Sequence, residues 1–435
     1  MLSVFTNTAP LLLGMFLIML GNGLQGTALG VRGGIEEFGN AAMGFVMSGY
    51  FVGFLGGAQI TPWLLRRVGH VRVFAALASL ISAAMILFAA VVDPIAWVAL
   101  RVVVGFCMSG VYVVAESWLN EAVENERRGQ LLSAYLIVQM LGIVVAQVFL
   151  NLADPAGYNL FVIMAVVVSV AVVPILLSVS PAPVFERTRH MALGQVFRTS
   201  PLSVVGTVLL GGVFACLFGM ASVYAMQIGL SNAEISIFIG AIYVGGMALQ
   251  YPIGWMSDRM DRRLLIEIVA AVGALACVAV LLFEVGFAGL VAAAFLVGGA
   301  ANPLYSLMVA HLNDFLERED MASASGAVIL LNGVGAAGTP IIVGVLMDAA
   351  GPQTFMMFVG LLMASIAVYG IYRSTRRPAT PVDETLPYTP IPMGTSQVAS
   401  AVIEEQYAEY AEEAAEAAGQ AEEPSGADAG ASHRT

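Results

Sequence analysis

The 435-residue chain has no lysine; apart from its histidines, every basic side chain is an arginine. Charge of either sign is scarce. Only 11% of residues are charged, less than half the roughly 25% with which a soluble domain covers its core. A soluble globular protein of this length is therefore excluded. The three cysteines, Cys107, Cys216 and Cys277, fall singly inside apolar runs, a pattern with neither a disulfide framework nor a metal-ligand spacing. Missing too are a Gly-rich nucleotide loop, an H-E-x-x-H pair and a G-x-S-x-G elbow, which argues against an ATP-driven pump and an embedded hydrolase. No enzyme, cofactor or metal is expected. The net charge of −12 offers no nucleic-acid surface, because eleven acids and only four arginines lie in 373–435 and the rest is near neutral.

What is present is apolar length. Hydrophobic residues make up 59% of the chain, and the mean hydropathy is +0.86. Apolar runs cover roughly 8–30, 41–64, 73–92, 95–117, 130–152, 158–180, 202–228, 234–256, 264–284, 286–310, 323–347 and 353–372. Each approaches or exceeds the ~20 residues a helix needs to cross a bilayer. The expected fold is an all-α membrane protein of twelve transmembrane helices. The first run is not preceded by a basic segment and is too long for a signal peptide, so it reads as an uncleaved first span.

Arginine placement orients the bundle. With the N-terminus inside, the cytoplasmic loops and the start of the tail hold fifteen arginines, and the outer loops hold only Arg32. The positive-inside rule then puts both termini in the cytoplasm. The longest internal loop divides the chain into an N-terminal six-helix bundle (1–180), an inter-half loop (181–201) and a C-terminal six-helix bundle (202–373). An acidic tail (374–435), proline-rich at first and then rich in Glu and Ala, has the composition of a disordered segment. The halves repeat. YFVGFLGGAQITPWLLRRVGH (50–70) overlies IYVGGMALQYPIGWMSDRMDR (242–262) at an offset of 192, and DPAG (154–157) overlies DAAG (348–351) at an offset of 194. A repeat of six spans per half is a transporter signature.

The charges that do occur are concentrated. GWMSDRMDRRLL (254–265) puts five charged residues into six positions between two spans. Gly254, Asp258, Arg259, Arg262 and Arg263 resemble the G-x-x-x-D-R-x-x-R-R loop of the major facilitator superfamily, and ALRVVVGF (99–106) resembles its R-x-x-x-G motif at Arg101 and Gly105. The first-half copy, PWLLRRVGHVR (62–72), keeps Arg67, Gly69 and Arg72 but has Arg66 in place of the aspartate. QYPIGWMSDR, RVVVGF followed by ESWL, and RRGQLLSAY (127–135) are similar to a bacterial branch called YcaD-like. The resemblance covers residues 8–372. It implies a monomeric multi-pass permease of the bacterial inner membrane, in which the charged loops form a cytoplasmic gate. On physical grounds Gly254 would let two helices approach, and Asp258 would accept hydrogen bonds from a neighbouring helix N-terminus.

Arg101 is the sharpest single candidate. It lies within a span, where an arginine costs about 2.5–3.5 kcal/mol on insertion scales and so faces a cavity or a partner. Binding an anionic substrate, assisting proton transfer, and fixing span 4 to span 1 are all open to it. Tyr112 lies on its helical stripe, and Glu116 is about 60° off it. Apart from these, neutral polar side chains mark inward faces: Asn22 and Gln25 on span 1, Gln139 on span 5, Tyr224 and Gln227 on span 7, Tyr243 and Gln250 on span 8, Asn302 and Tyr305 on span 10, and Asn332 on span 11. Such stripes also serve as hydrogen-bonding glue between helices. The leading expectation is a secondary active transporter of a small molecule working by alternating access, with protons as a candidate coupling ion. The alternative is a non-transporting receptor or scaffold acting through its acidic tail.

Overall fold

The computed structural model describes residues 2–121, 125–177 and 191–376, together with positions 381, 385, 388 and 390. The expected disorder of the acidic tail, and most of the inter-half loop, fall outside these residues. The described residues fold into helices with no strand.

Among the described residues, twelve helices are long and apolar enough to span a membrane. They are α1 (Leu2–Ile35), α2 (Asn40–Val68), α3 (His70–Ala90), α4 (Pro94–Glu121), α5 (Asn125–Phe149), α6 (Asn159–Leu176), α7 (Pro201–Gln227), α8 (Asn232–Ser257), α9 (Arg262–Leu282), α10 (Gly286–Asn313), α11 (Arg318–Ala350) and α12 (Thr354–Ser374). A seven-residue helix, Leu193–Thr199, precedes α7. The α7 helix is interrupted by one π-turn at Cys216–Met220. Helices suit this composition because they satisfy their own backbone in hydrocarbon, where water cannot. Exposed Leu80, Leu275, Leu282, Leu361 and Val368 give the bundle its apolar outer face.

Glycine sets the closest crossings, and the crossings repeat. A Cβ at Gly53 would strike the Val102 carbonyl, and one at Gly105 the Tyr50 carbonyl, so α2 and α4 touch backbone to backbone. Gly245 against Phe295 and Gly298 against Ile242 make the same contact between α8 and α10, 192 and 193 residues later. Gly142 of α5 meets the Phe16 carbonyl of α1, and Gly335 of α11 meets the Val208 carbonyl of α7, again displaced by 193 and 192. Without a hydrophobic force between helices in lipid, close packing of this kind holds a bundle together. The internal repeat is therefore structural as well as sequential.

Alternation from α1 puts both ends of the described chain on one face, called here the termini face. The loop motifs lie on that face. Gly69 joins α2 to α3 at φ +83°, a left-handed conformation that glycine adopts without steric cost. Arg67 stacks on Trp63 (5.4 Å) and Arg259 on Trp255 (4.3 Å), the same residue pair 192 positions apart. Arg66, Arg67 and Arg72 are exposed. In the second loop Arg262 makes a buried ion pair with Asp314 at the end of α10, at 2.6 Å. Arg263 sits 3.6 Å from Asp261, whose side chain also caps α9 by accepting the Arg263 N–H. The acids met here by Arg262 and Arg263, Asp314 and Asp261, belong to the same half as the arginines.

Candidate functional site: a cavity between the halves

Both halves line one central cavity of about 130 Å³, far more than the ~10–15 Å³ a single water needs. From the first half come Asn22, Gly23, Gly26 and Thr27 of α1, Tyr50, Phe51 and Phe54 of α2, Arg101 and Tyr112 of α4, and Met140 and Ile143 of α5. From the second come Leu217, Phe218 and Ser222 of α7, Ile239 and Tyr243 of α8, Asn302 and Tyr305 of α10, and Ile329, Asn332 and Gly333 of α11.

Each half contributes an aromatic cluster to the lining. In the first half Phe54 packs near Tyr50 and edge-on to Tyr112, with centroids 6.1 and 6.0 Å apart. In the second, Phe218 stacks between Phe214 (5.5 Å) and Tyr243 (5.0 Å). Phe218 lies within the π-turn, a distortion that recurs at functional sites because it re-aims side chains.

Arg101 is the one charged residue of the lining. It is 4% exposed, and its guanidinium lies 4.7 Å from the centroid of the Tyr50 ring. Its Nη1 donates to Gln25 Oε1 at 3.0 Å, and Nη2 lies 3.5 Å from Met47 Sδ. Arg101 Nε and Gln25 Nε2 are buried without a partner among the described residues. Every partner shown for this cation is neutral. The cavity thus combines flat aromatic faces, neutral amides and hydroxyls, and one cation that is not neutralised by a carboxylate in the lining.

Of the residues picked from the sequence, Asn22, Arg101, Tyr112, Tyr243, Asn302, Tyr305 and Asn332 meet at this cavity. The others lie elsewhere. Gln25 stands behind the wall as the Arg101 acceptor. Gln139 is buried outside the lining, where its neighbour Met140 takes the cavity position. Tyr224 stacks on Phe355 (4.7 Å) inside the second half. Gln227 bonds Asn40 at the face opposite the termini, at 2.5 Å. Gln250 donates to Ser306 Oγ at 3.0 Å, on the termini side of the cavity. Glu116 is fully buried and accepts from the Tyr135 hydroxyl at 3.2 Å, one turn beyond Tyr112. Sequence reading missed Tyr50, Phe51, Phe54 and Phe218. The first three fall in YFVGF, beside the glycine of the closest crossing, which is the signal that marks them. Nothing in the sequence marks Phe218.

The halves are fastened at the face opposite the termini. Asp348, at the end of α11, accepts from Asn40 N (3.0 Å), Asn40 Nδ2 (2.8 Å) and Ala41 N (2.8 Å) at the start of α2. Gly39 gives α2 no side-chain cap of its own, so the other half supplies one. The corresponding start of α8 carries its own capping box, Ser231 with Glu234. Asn151, just past the end of α5, donates to Ser236 of α8 at 2.9 Å at the same face.

A family model for the Major Facilitator Superfamily matches residues 11–284 and 203–403. The chain belongs to the major facilitator superfamily. An uncharacterized MFS-type transporter YcaD of Escherichia fergusonii is 25% identical over 386 residues, covering 88% of this chain and 99% of that protein. An uncharacterized MFS-type transporter of Enterobacter sp. (strain 638) is 26% identical over 377 residues, covering 86% and 97%. Both agree with the YcaD-like resemblance of the motifs. Among solved structures, the nucleoside transporter NupG has a TM-score of 0.69 at 15% identity, over 84% of this chain and 98% of that one. A bacterial homologue of the lysosomal transporter Spinster, in an inward-facing and unoccupied conformation, scores 0.66 at 14% identity, over 92% and 98%. These likenesses show the fold. The chain is accordingly a multi-pass transporter-family protein of the bacterial inner membrane, and its family points away from an enzyme.

Proposed function

We propose that the chain is a secondary active transporter that moves a small organic anion with a flat, weakly polar body by alternating access. The observation that carries this reading is the central cavity, built by both halves and holding a buried arginine with no acidic neighbour in the lining. A small anion would supply the missing countercharge, and the aromatic clusters of the two halves would hold its body. Because both halves of the cavity come from one chain, a monomer suffices. The fastened face lies opposite the termini, so the cavity communicates with the termini face, which arginine bias assigns to the cytoplasm. Protons are the candidate coupling ion, and Glu116, one turn from Tyr112 and bonded to Tyr135, is the candidate proton carrier.

The test is a thermal-shift panel on purified protein, with aromatic monocarboxylates, their neutral amides, sugars and nucleosides. A ligand that binds only the folded state raises the melting temperature. Stabilisation by the carboxylates and none by their amides is expected. Stabilisation by sugars or nucleosides alone would replace the anion by a neutral substrate.

Alternating access makes a separate prediction at the fastened face. Asp348 places its charge on the positive end of α2. Because Asp348 is exposed, the cap contributes about 1–2 kcal/mol. Asp348→Ala is expected to raise the population closed at the termini face by roughly tenfold. Spin-label distances between engineered cysteines at exposed Arg67 and Leu264 check this, and an unchanged distribution would count against rocking of the halves.

A further inference from the structure

Tyr388 lies fourteen residues beyond the end of α12, in the proline-rich start of the acidic tail. Exposed Pro381 and Pro390 flank it, yet Tyr388 itself is 8% exposed. Its backbone N–H donates to Asp258 Oδ1 at 2.7 Å. Its hydroxyl accepts from Gln250 Nε2 at 2.8 Å, and the same amide reaches Ser306. Its ring covers Gly254. A Cβ at Gly254 would stand 2.5 and 2.6 Å from ring carbons Cδ1 and Cε1.

The expected work of the loop motif is thereby reassigned. Gly254 leaves a floor for an aromatic ring, where a close helix approach was expected. Asp258 grips the backbone of a tail segment, where a neighbouring helix N-terminus was expected. The twelve residues from Arg376 to Tyr388 reach as far as ~40 Å when extended, ample for the return.

The position of the seat gives it a consequence. Gln250 and Ser306 lie seven and four residues toward the termini face from the cavity residues Tyr243 and Asn302, about 10 and 6 Å of helix rise. Across the half interface, the end of α5 meets α8 at the fastened face, where Asn151, just past α5, bonds Ser236. Gly254 is eighteen residues from Ser236, five whole turns at 3.6 residues each, so both share one side of α8. When the halves close at the termini face, α5 approaches that side of α8. Tyr388 occupies it.

We propose that Gly254, Asp258, Gln250 and Ser306 form a binding site for a tyrosine ring and its backbone N–H, occupied by this chain's own Tyr388, and that seated Tyr388 is a strap that holds the cavity open toward the termini face. Transport requires the strap to leave. The proposal rests on the alternating-access reading for its effect and on the seat alone for its geometry.

Two measurements on the full-length protein in lipid nanodiscs separate these. Hydrogen exchange reads the seat: the peptide spanning 384–392 is expected to exchange about a hundredfold more slowly than the peptide spanning 394–402, because its amide opens only when the seat does. Gly254→Ala and Tyr388→Ala are each expected to remove that difference. Equal exchange of the two peptides in the wild type overturns the seat. Spin-label distances between engineered cysteines at Arg67 and Leu264 read the strap. Tyr388→Ala and Gly254→Ala are each expected to add a shorter-distance population, and the double variant to add nothing beyond either. A shift with Asp348→Ala and none with Tyr388→Ala overturns the strap while rocking stands. No shift with either overturns the strap together with rocking.

Discussion

Replacing Asp314 by Ala is expected to destabilise the protein by about 3–5 kcal/mol, the usual cost of removing one partner from a buried ion pair. Arg262 Nη1 lies 2.6 and 2.7 Å from the two Asp314 oxygens, Nε donates to Ser257 Oγ at 3.1 Å, and both charged side chains are 2% exposed. Without the carboxylate, the guanidinium keeps its desolvation cost and loses its main compensation. The pair also ties the start of α9 to the end of α10, so its loss frees the loop that holds the strap's seat. The paired replacement Arg262→Met with Asp314→Leu is expected to recover most of the stability, since a buried ion pair and a well-packed apolar pair of similar volume are often close in energy. Asp261→Ala makes the contrast within the same loop. Its side chain is 36% exposed and 3.6 Å from Arg263, leaving chiefly the loss of a helix cap, about 1 kcal/mol. Thermal unfolding in detergent ranks the variants. A small effect for Asp314→Ala would show that water reaches Arg262. The first half holds His70 at the position 192 residues earlier, bonded to Ser117 at 3.0 Å, a neutral fastening where the second half has a charged one.

The fold was legible because its two strongest signals are long-range in sequence but simple in physics. Spans must be long and apolar, and repeated halves must place glycine at the same crossings, as Gly53 and Gly245 do. The site was legible only where a polar atom had to be buried in an apolar span, as for Arg101, Asn22 and Asn302. Aromatic walls escaped notice because Phe54 and Phe218 have the same composition as a lipid-facing residue, and only the tertiary arrangement tells them apart. Stripes failed for a geometric reason. The π-turn at Cys216–Met220 inserts a residue, about 100° of rotation, between the start of α7 and the stretch that carries Tyr224 and Gln227, so counting from the start of the helix aims that stretch at the wrong neighbours. Tyr224 therefore turns toward Phe355. Gln227 and Gln250 show a second limit. An amphipathic stripe runs the whole length of a helix, while a cavity occupies only its middle, so the ends of the stripe serve the two faces. Tyr388 was illegible from composition, because one seated aromatic leaves no trace in an acidic, proline-rich average.

Arg101→Gln is expected to abolish stabilisation by anionic ligands while leaving the empty protein as stable as the wild type, or more so. The two halves of this prediction come from the same fact. The Arg101 partners, Gln25 Oε1, Met47 Sδ and the Tyr50 ring, are all neutral, so the unliganded protein bears the cost of a buried charge that these contacts only partly offset. Glutamine keeps a polar group for Gln25 and removes the charge. A bound carboxylate, by contrast, would receive charge-assisted hydrogen bonds worth about 1.5–3 kcal/mol each, so losing one or two of them weakens binding by about a hundredfold. Arg101→Lys separates charge from shape. It retains a cation without the planar fork that pairs two oxygens at once, and is expected to bind anions more weakly than wild type but more tightly than Arg101→Gln. Melting temperatures with and without ligand, on all three proteins, decide the matter. If the empty Arg101→Gln variant melts well below wild type, the arginine's work is to fasten α4 to α1 through Gln25, and the anion site must be sought elsewhere in the lining. If the empty proteins melt alike and only the anion response is lost, the unneutralised charge is the substrate's place.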